Sequence, residues 1–359
     1  MLSSDRLSRR LASHLLACIF VAGCLVQWLL PIPAFSQAFH TYFNNPDDQN
    51  HEYDIQDAFL DEIGSATSTV DLTIYNINSG TISDALLDWH DGSTKTLRMA
   101  SDVQPGETNH TTYIAPLVND GAAIEYDTPE SYSMHDKFAV IGGSRVWTGS
   151  WNLTAEASTS QWNNAIVIDD YWLRQAYESE FSQMLGVPGT LYDGSFHQNK
   201  SQVAGTFALG GGTADDLYRM SPQNDTGDTT EDLIVAEIDA TIPGDTIHFA
   251  IFTFTSEAIS EALRNAAASG VTVRGIFDKA QADGGASTDV YDDLQEAGCD
   301  VFWLSTDPGQ TGSPYIHHKY MVINPLGTDP VVVTGSANFT AAAMVNKTGG
   351  NDENTLILS

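Results

Sequence analysis

The sequence predicts an α/β protein of two similar halves, each with a mixed, largely buried β-sheet flanked by helices. Two observations carry that prediction. The 359-residue chain holds one short motif twice, MHDKFAVIGGSRVWTGSWNLT at 134–154 and IHHKYMVINPLGTDPVVVTGSANFT at 316–340. Each copy has His-x-Lys entering an apolar run, a loop, a second apolar run and then Gly-Ser-x-Asn. His135, Lys137, Gly149, Ser150 and Asn152 thus match His317, Lys319, Gly335, Ser336 and Asn338. Around each copy, apolar strand-like runs alternate with amphipathic helical ones, as in a layered α/β fold.

The elements line up pairwise along the chain. In the first half, Ile55, Ala58, Phe59, Glu62 and Ile63 space as a helix, and 70–77 reads as a strand; in the second, 231–240 is helical and 246–254 a buried strand. Helices over 81–90 and 256–269 follow, the second stopped by Gly270, and then strands 97–102 and 271–278. Helices 111–119 and 288–297 lead to strands 123–127 and 300–304, and so to the two motifs. The first half ends with strand 164–169 and an amphipathic helix 171–185, for which Asp169-Asp170 supplies a cap and first turn. The second ends with strand 355–358. Residues 39–193 and 214–359 are the two halves, and 194–213, with Gly205 and Gly210-Gly211-Gly212, is the expected linker.

Arg6, Arg9 and Arg10 precede the apolar run 15–30, which is followed by Pro31, Pro33 and Ser36-Gln37-Ala38. This is the order of a secretory signal over residues 1–38, with no transmembrane segment expected after its removal. Cys18 and Cys24 leave with it, and Cys299, at the start of an apolar strand, is expected to be a buried, unpaired thiol. The remaining chain carries 12 Lys and Arg against 46 Asp and Glu, a net charge near −34. So acidic a surface disfavours general affinity for DNA or anionic membranes, which draw on basic residues. Asn-x-Thr sequons fall at Asn109, Asn152, Asn224, Asn338 and Asn346, two of them the motif asparagines. Glycans there would block the motifs, so a secreted or periplasmic bacterial protein, acting as a monomer, is the expectation.

The paired motifs resemble the phospholipase D superfamily, whose signature is His-x-Lys-x4-Asp followed by Gly-Ser-x-Asn. The resemblance covers nearly all of the chain after residue 38. The signature aspartates are replaced by Gly142 and Asn324; in the family that residue supports the site and does not attack phosphorus. The resemblance implies two halves related by a pseudo-twofold axis on which both motifs meet. It implies phosphodiester cleavage by two histidines, one attacking and one donating a proton to the leaving oxygen, through a phosphohistidine intermediate. His135 is the expected nucleophile and His317 the acid. Lys137, Lys319, Asn152 and Asn338 would hold the phosphate oxygens, supported by Ser150 and Ser336. Family members place a carboxylate after Gly-Ser-x-Asn to orient an imidazole; Glu353 matches it, whereas Asn163 stands in the first half's place. No metal or other cofactor is expected. The expected substrate is a phospholipid headgroup, with water or an alcohol as acceptor. A secreted metal-independent nuclease and a non-catalytic phosphate-binding relative fit the same residues. His318 should face away from His317, and Trp147, Trp151 and Trp162 either fill the core or line an apolar entrance.

Overall fold

Along the motif strands, successive side chains enter different cores, which is why these strands read as unbroken apolar runs. Phe138 and Val140 pack into one cluster while Ala139 and Ile141 pack into another. A computed structural model describes residues 39–46, 55–91, 94–128, 132–187, 193–212, 215–222, 227–304, 315–327, 329–345 and 349–359. The expected signal over 1–38 lies outside them, as do Asn224 and Asn346.

In the first half, β1 (Phe39–Phe43) precedes α1 (Ile55–Ser65), β2 (Thr69–Ile74), α2 (Gly80–His90) and β3 (Thr96–Ser101). A π-helical turn, His110–Ile114, runs into α3 (Ala115–Asn119), so the helix expected over 111–119 is wound wider at its start. Next come β4 (Ala123–Tyr126), β5 (Phe138–Ile141), β6 (Arg145–Gly149), α4 (Ala155–Thr159), β7 (Gln161–Trp162), β8 (Asn164–Asp169) and α5 (Tyr171–Leu185). A 3₁₀ turn, His197–Asn199, then leads to β9 (Ala204–Phe207) and β10 (Asp216–Ser221). The second half continues with α6 (Thr230–Asp239), β11 (Thr246–Ile251), α7 (Glu257–Ala268), β12 (Thr272–Asp278), α8 (Lys279–Ala282) and α9 (Thr288–Glu296). It closes with β13 (Asp300–Leu304), β14 (Tyr315–Ile316), β15 (Lys319–Ile323), β16 (Val331–Gly335), α10 (Ala341–Met344) and β17 (Glu353–Leu358).

The two large sheets have one topology. The first runs β4-β3-β2-β5-β6-β8-β1 and the second β13-β12-β11-β15-β16-β17-β10-β9. In each, three parallel strands meet an antiparallel set, as expected of a mixed sheet. The segment 194–213, expected as a linker, contains β9, which extends the second sheet against β10. The two strands beginning each half lacked a clear sequence signal: β1 is an edge strand with mostly exposed positions, and β10, between β17 and β9, has three successive half-buried positions instead of a clean alternation.

The same local chemistry sets corresponding helices. Ser79 and Ser256 cap α2 and α7 by accepting from the Ile82 and Ile259 backbone N–H groups. Thr154 and Thr340 cap α4 and α10. The threonines of the Asn152 and Asn338 sequons are therefore helix caps, which accounts for the sequons without glycosylation. Asp170 caps α5, accepting from the N–H groups of Trp172 and Leu173 at 2.9 Å each. Leu173, Tyr177, Phe181 and Met184 line the buried face of α5 and join Met220, Leu356 and Leu358 of the second sheet in one core. Trp147 and Trp151 are core residues, the first packed edge to face and the second tilted against Phe59, and Trp162 is half-buried. Cys299 is a buried free thiol. Among the described residues, no helix is long and apolar enough to cross a membrane.

The Gly-Ser-x-Asn glycines have a steric reason. Gly149 (φ 151°) and Gly335 (φ 142°) cross so close to the neighbouring strand that a Cβ would stand 2.2 Å from the carbonyl oxygens of Asn164 and Asn354. Gly335→Ala is expected to cost about 3 kcal/mol or more, because backbone has to move. Gly143→Ala, at φ 68° in an open turn, should cost only about 1 kcal/mol of left-handed strain. Urea unfolding of the two variants checks the contrast.

Candidate active site

Both motif histidines stand where their chains enter a sheet, beside the C-terminal ends of β2 and β11; Lys319 pairs with Ile251 in the ladder. Each is held by the opposite half. The His135 N–H donates to the Asp352 carbonyl and the His317 N–H to the Trp162 carbonyl, both at 2.9 Å. The imidazoles cross in the same way. His135 Nδ1 lies 2.7 Å from Glu353 Oε1, and His317 Nδ1 lies 2.8 Å from Asn163 Oδ1. Ser336 donates to Glu353 Oε2 at 2.6 Å, and Ser150 donates to Asn163 Oδ1 at 2.9 Å. Asn163 Nδ2 donates to the Ala157 carbonyl at 3.2 Å, which fixes its oxygen toward His317. Both Nδ1 atoms therefore carry hydrogen, and each Nε2 is the nitrogen left for chemistry.

The lysines complete a buried cationic centre. Lys137 Nζ donates to the His135 carbonyl at 2.6 Å, and Lys319 Nζ donates to the His317 carbonyl at 3.1 Å while standing 3.3 Å from His317 Nε2. Each ammonium also lies over an aromatic ring, Lys137 above Tyr75 at 4.7 Å and Lys319 above Phe252 at 5.4 Å. Burial first, then the two ammonium groups, hold both histidines well below the usual imidazole range. Burial pushes Lys137 down to about 8 against the pull of Glu353, Asp136 and Asp102, and pushes Lys319 down as well. Glu353 is pushed up to about 7 by burial. Each imidazole senses the lysine of the other half, so the four groups share one site. Asn338 Oδ1 accepts from the Thr253 N–H at 3.3 Å; Asn152 Oδ1 is buried without a hydrogen-bond partner among the described residues.

All nine sequence-selected residues thus gather in two mirrored sets. His318 turns from His317 as expected, its Nδ1 3.3 Å from Asn164 Oδ1 and its ring against Phe43 and Tyr320. Tyr75 and Phe252, the rings beneath the lysines, went unnoticed, although both follow Ile at a strand end. Also missed was a second crossed layer: Thr148 donates to Asn354 Oδ1 at 2.6 Å, and Asn164 Nδ2 donates to Thr334 Oγ1 at 2.9 Å. Its signal was the Asn that ends both tetrads, 161–164 and 351–354. Gly142 and Asn324, in place of the signature aspartates, lie at the far ends of β5 and β15, roughly 16 Å of extended chain from the lysines. Both adopt left-handed backbone, φ 61° and 50°, and Asn324 Oδ1 accepts from the Thr246 N–H at 3.0 Å. These positions hold a turn.

Behind His135 lies a charged network that, among the described residues, has no equivalent behind His317. Lys200 pairs with Glu180 and, at 2.5 Å, with Asp352; Asn354 Nδ2 donates to Asp136 Oδ1 at 2.8 Å. Burial raises Lys200's acidic neighbours despite its charge, Glu180 and Asp136 both to about 7.

Family models of the cardiolipin synthase, PLD-like domain match residues 59–185 and 234–359. The chain belongs to this phospholipase D-like family. Among its relatives are the mitochondrial cardiolipin hydrolases of Chlamydomonas reinhardtii, 32% identical over 126 residues (35% of this chain, 55% of that one), and of Xenopus laevis, 32% identical over 129 residues (35% and 58%). The chain spans about half the length of these relatives. The crystal structure of Haemophilus influenzae phosphatidylserine synthase superposes with a TM-score of 0.59 at 11% identity, covering 88% of this chain and 81% of that one. Yeast tyrosyl-DNA phosphodiesterase gives 0.51 at 10% identity, covering 89% and 88%. These likenesses are of fold.

The raised carboxyls set a pH dependence. Folded Glu180 binds its proton up to about 7, against 4.5 in a free side chain. Its contribution to stability is therefore full below about 4.5 and lost as pH rises through 7. Glu180→Gln removes that loss, so the variant should gain on the order of 2 kcal/mol over wild type between pH 5 and pH 8. Paired denaturant melts at the two pH values measure it.

Proposed function

We propose that the chain is an exported phospholipase D-type phosphodiesterase, secreted or periplasmic, that hydrolyses phospholipid headgroups through a phosphohistidine intermediate. The observation that carries this reading is the crossed, unequal pair His135–Glu353 and His317–Asn163. In the first step His135 Nε2 attacks phosphorus, the bond to the leaving oxygen breaks, and His317 Nε2 gives that oxygen its proton. In the second, His317 takes a proton from water, the oxygen of that water attacks phosphorus, and the bond to His135 breaks. Glu353 suits the attacking histidine, since a carboxylate at Nδ1 stabilises the positive charge the ring gains on phosphorylation. Asn163 suits the acid, because a neutral partner leaves the imidazolium ready to release its proton. Lys137, Lys319, Asn152 and Asn338 hold the phosphate oxygens, and Ser150 and Ser336 support the groups that aim the imidazoles.

A single anionic diester group matches the buried ammonium pair, and its charge would restore to the histidines the proton affinity that the lysines remove. Electrostatics beyond the pocket favour a headgroup over a polynucleotide. Asp102, pushed up to about 6 by burial, senses Lys137, and the 15 Lys and Arg of the whole chain face 47 Asp and Glu. A groove for DNA needs several cations along a strand. The cardiolipin hydrolases among the relatives make cardiolipin a substrate to test beside phosphatidylcholine and phosphatidylethanolamine.

His135→Ala and His317→Ala should each lower turnover on such vesicles by at least about a thousandfold with the fold intact. Retention of activity by either variant would remove the two-histidine mechanism. Faster cleavage of single-stranded DNA than of every lipid, at both low and high salt, would replace the lipase by a nuclease. Asn163→Asp, isosteric, gives His317 a carboxylate and should move the alkaline limb of the kcat profile up by about 1–3 pH units. Movement of the acid limb instead would exchange the roles of the two histidines. Intact mass of the exported protein tests removal of residues 1–38.

A further inference from the structure

We propose that His197 is a positioning residue for His135, acting through Asp352 as the centre of a charged clamp. The clamp joins the first half, the segment between the halves and the second half. It rests on the phosphodiesterase reading and adds to it a residue outside the paired motifs. His197 is only 2% exposed and has a carboxylate at each ring nitrogen. Nε2 is 2.8 Å from Asp127 Oδ2, just beyond β4, and Nδ1 is 3.2 Å from Asp352 Oδ2, just before β17. Its backbone N–H donates to Asp352 Oδ1 at 2.9 Å, the oxygen that Lys200 also holds. To reach this place His197 takes a left-handed backbone, φ 52°, a conformation that costs a non-glycine residue about 1 kcal/mol or more.

Asp352 is where the clamp meets the active site. Its carbonyl accepts the His135 N–H, its own N–H donates to the Ser133 carbonyl at 3.0 Å, and the next residue, Glu353, holds His135 Nδ1. A shift of Asp352 therefore moves both the main-chain and the side-chain support of one imidazole. The corresponding place on the other side is Trp162, whose carbonyl alone reaches His317, so the clamp serves His135 only. Asp127, His197 and Asp352 also have the composition of a metal site, but the geometry speaks for the clamp. One ligand atom of each lies within 4.8 Å of the others, but both ring nitrogens already face carboxylates, and the Lys200 ammonium, 2.5 Å from Asp352 Oδ1, already supplies a cation there. Among the described residues, Asp127, Asp352, Asp102 and Lys200 are the charged groups that act on His197. Burial opposes its charge, yet Asp127 and Asp352 outweigh burial and raise its proton affinity above the ordinary imidazole value.

The test is His197→Asn in the whole chain. Asn tolerates left-handed backbone and is too short to bridge the carboxylates. With bis(p-nitrophenyl) phosphate as probe, kcat should fall tenfold or more with KM within twofold. The downfield proton resonance of His135 Nδ1–H should shift or broaden. Asp127→Asn, isosteric, should act in the same direction and carries the test if His197→Asn fails to fold. A lowered melting temperature with kcat and the His135 resonance unchanged in both variants would overturn the proposal and leave His197 a packing residue. A wild-type chain inactive on every diester would overturn the phosphodiesterase reading alone, and the imidazole spectrum would still decide the clamp.

Discussion

The structure turns on one exchange: each half supplies a histidine and orients the histidine of the other. Glu353 aims His135, Asn163 aims His317, and the backbone bonds of both histidines cross as well. Either half alone would present an imidazole with Nδ1 unsupported and a buried lysine without its neighbours. The motif spacing follows from this. His-x-Lys opens one strand, Gly-Ser-x-Asn closes the next, and the following strand begins with the group that reaches across. Only glycine lets the second strand pass close enough for Ser150 and Ser336 to reach Asn163 and Glu353. The orienting group must be hydrogen-bonded on its far side, or the imidazole inherits its freedom.

Burying two lysines side by side is otherwise costly, because neither has a full counterion at the site. Aromatic rings beneath the ammoniums and carbonyl acceptors beside them offset part of that cost. The remainder persists as lowered proton affinity for both lysines and both histidines. A pocket so arranged is short of one negative charge, and that shortage is itself a specification for the ligand.

Much of this was legible in the sequence. The repeated His-x-Lys and Gly-Ser-x-Asn located eight of the candidate site residues, the carboxylate position after the second copy located Glu353, and strand–helix alternation gave the central strands of both sheets. Asn163 opposite Glu353 exposed the inequality of the halves. Less legible was anything that depends on the crossing itself. Tyr75 and Phe252 are ordinary strand-end aromatics until a lysine from a different strand lies over them. Asp352 and His197 lie 155 residues apart, and no local pattern links an Asp before a strand to a His in a glycine-flanked connection. The strands β1 and β10 were hidden for a similar reason: their pairing is set by the partner strands and not by their own alternation.

Three substitutions between the halves lie on the same side of the site. Where the His135 side has Glu353, Asp352 and Asp136, the His317 side has Asn163, Trp162 and His318. Burial drives His318 down to about 3, so it stays neutral. The acids gather behind one imidazole, with Lys200 among them, and leave the other oriented by neutral groups. This distribution is what the two unequal roles of the proposed mechanism demand. A ring that becomes phosphorylated gains a positive charge, and fixed negative charge behind it stabilises that state without rearrangement. A ring that gives and takes a proton is poorly served by a carboxylate that would hold the proton too tightly. A symmetric pair, with carboxylates on both sides, would bind an extra proton without distinguishing attack from donation. The pseudo-twofold frame brings the groups together, and in the proposed mechanism the departures from its symmetry divide the work between them.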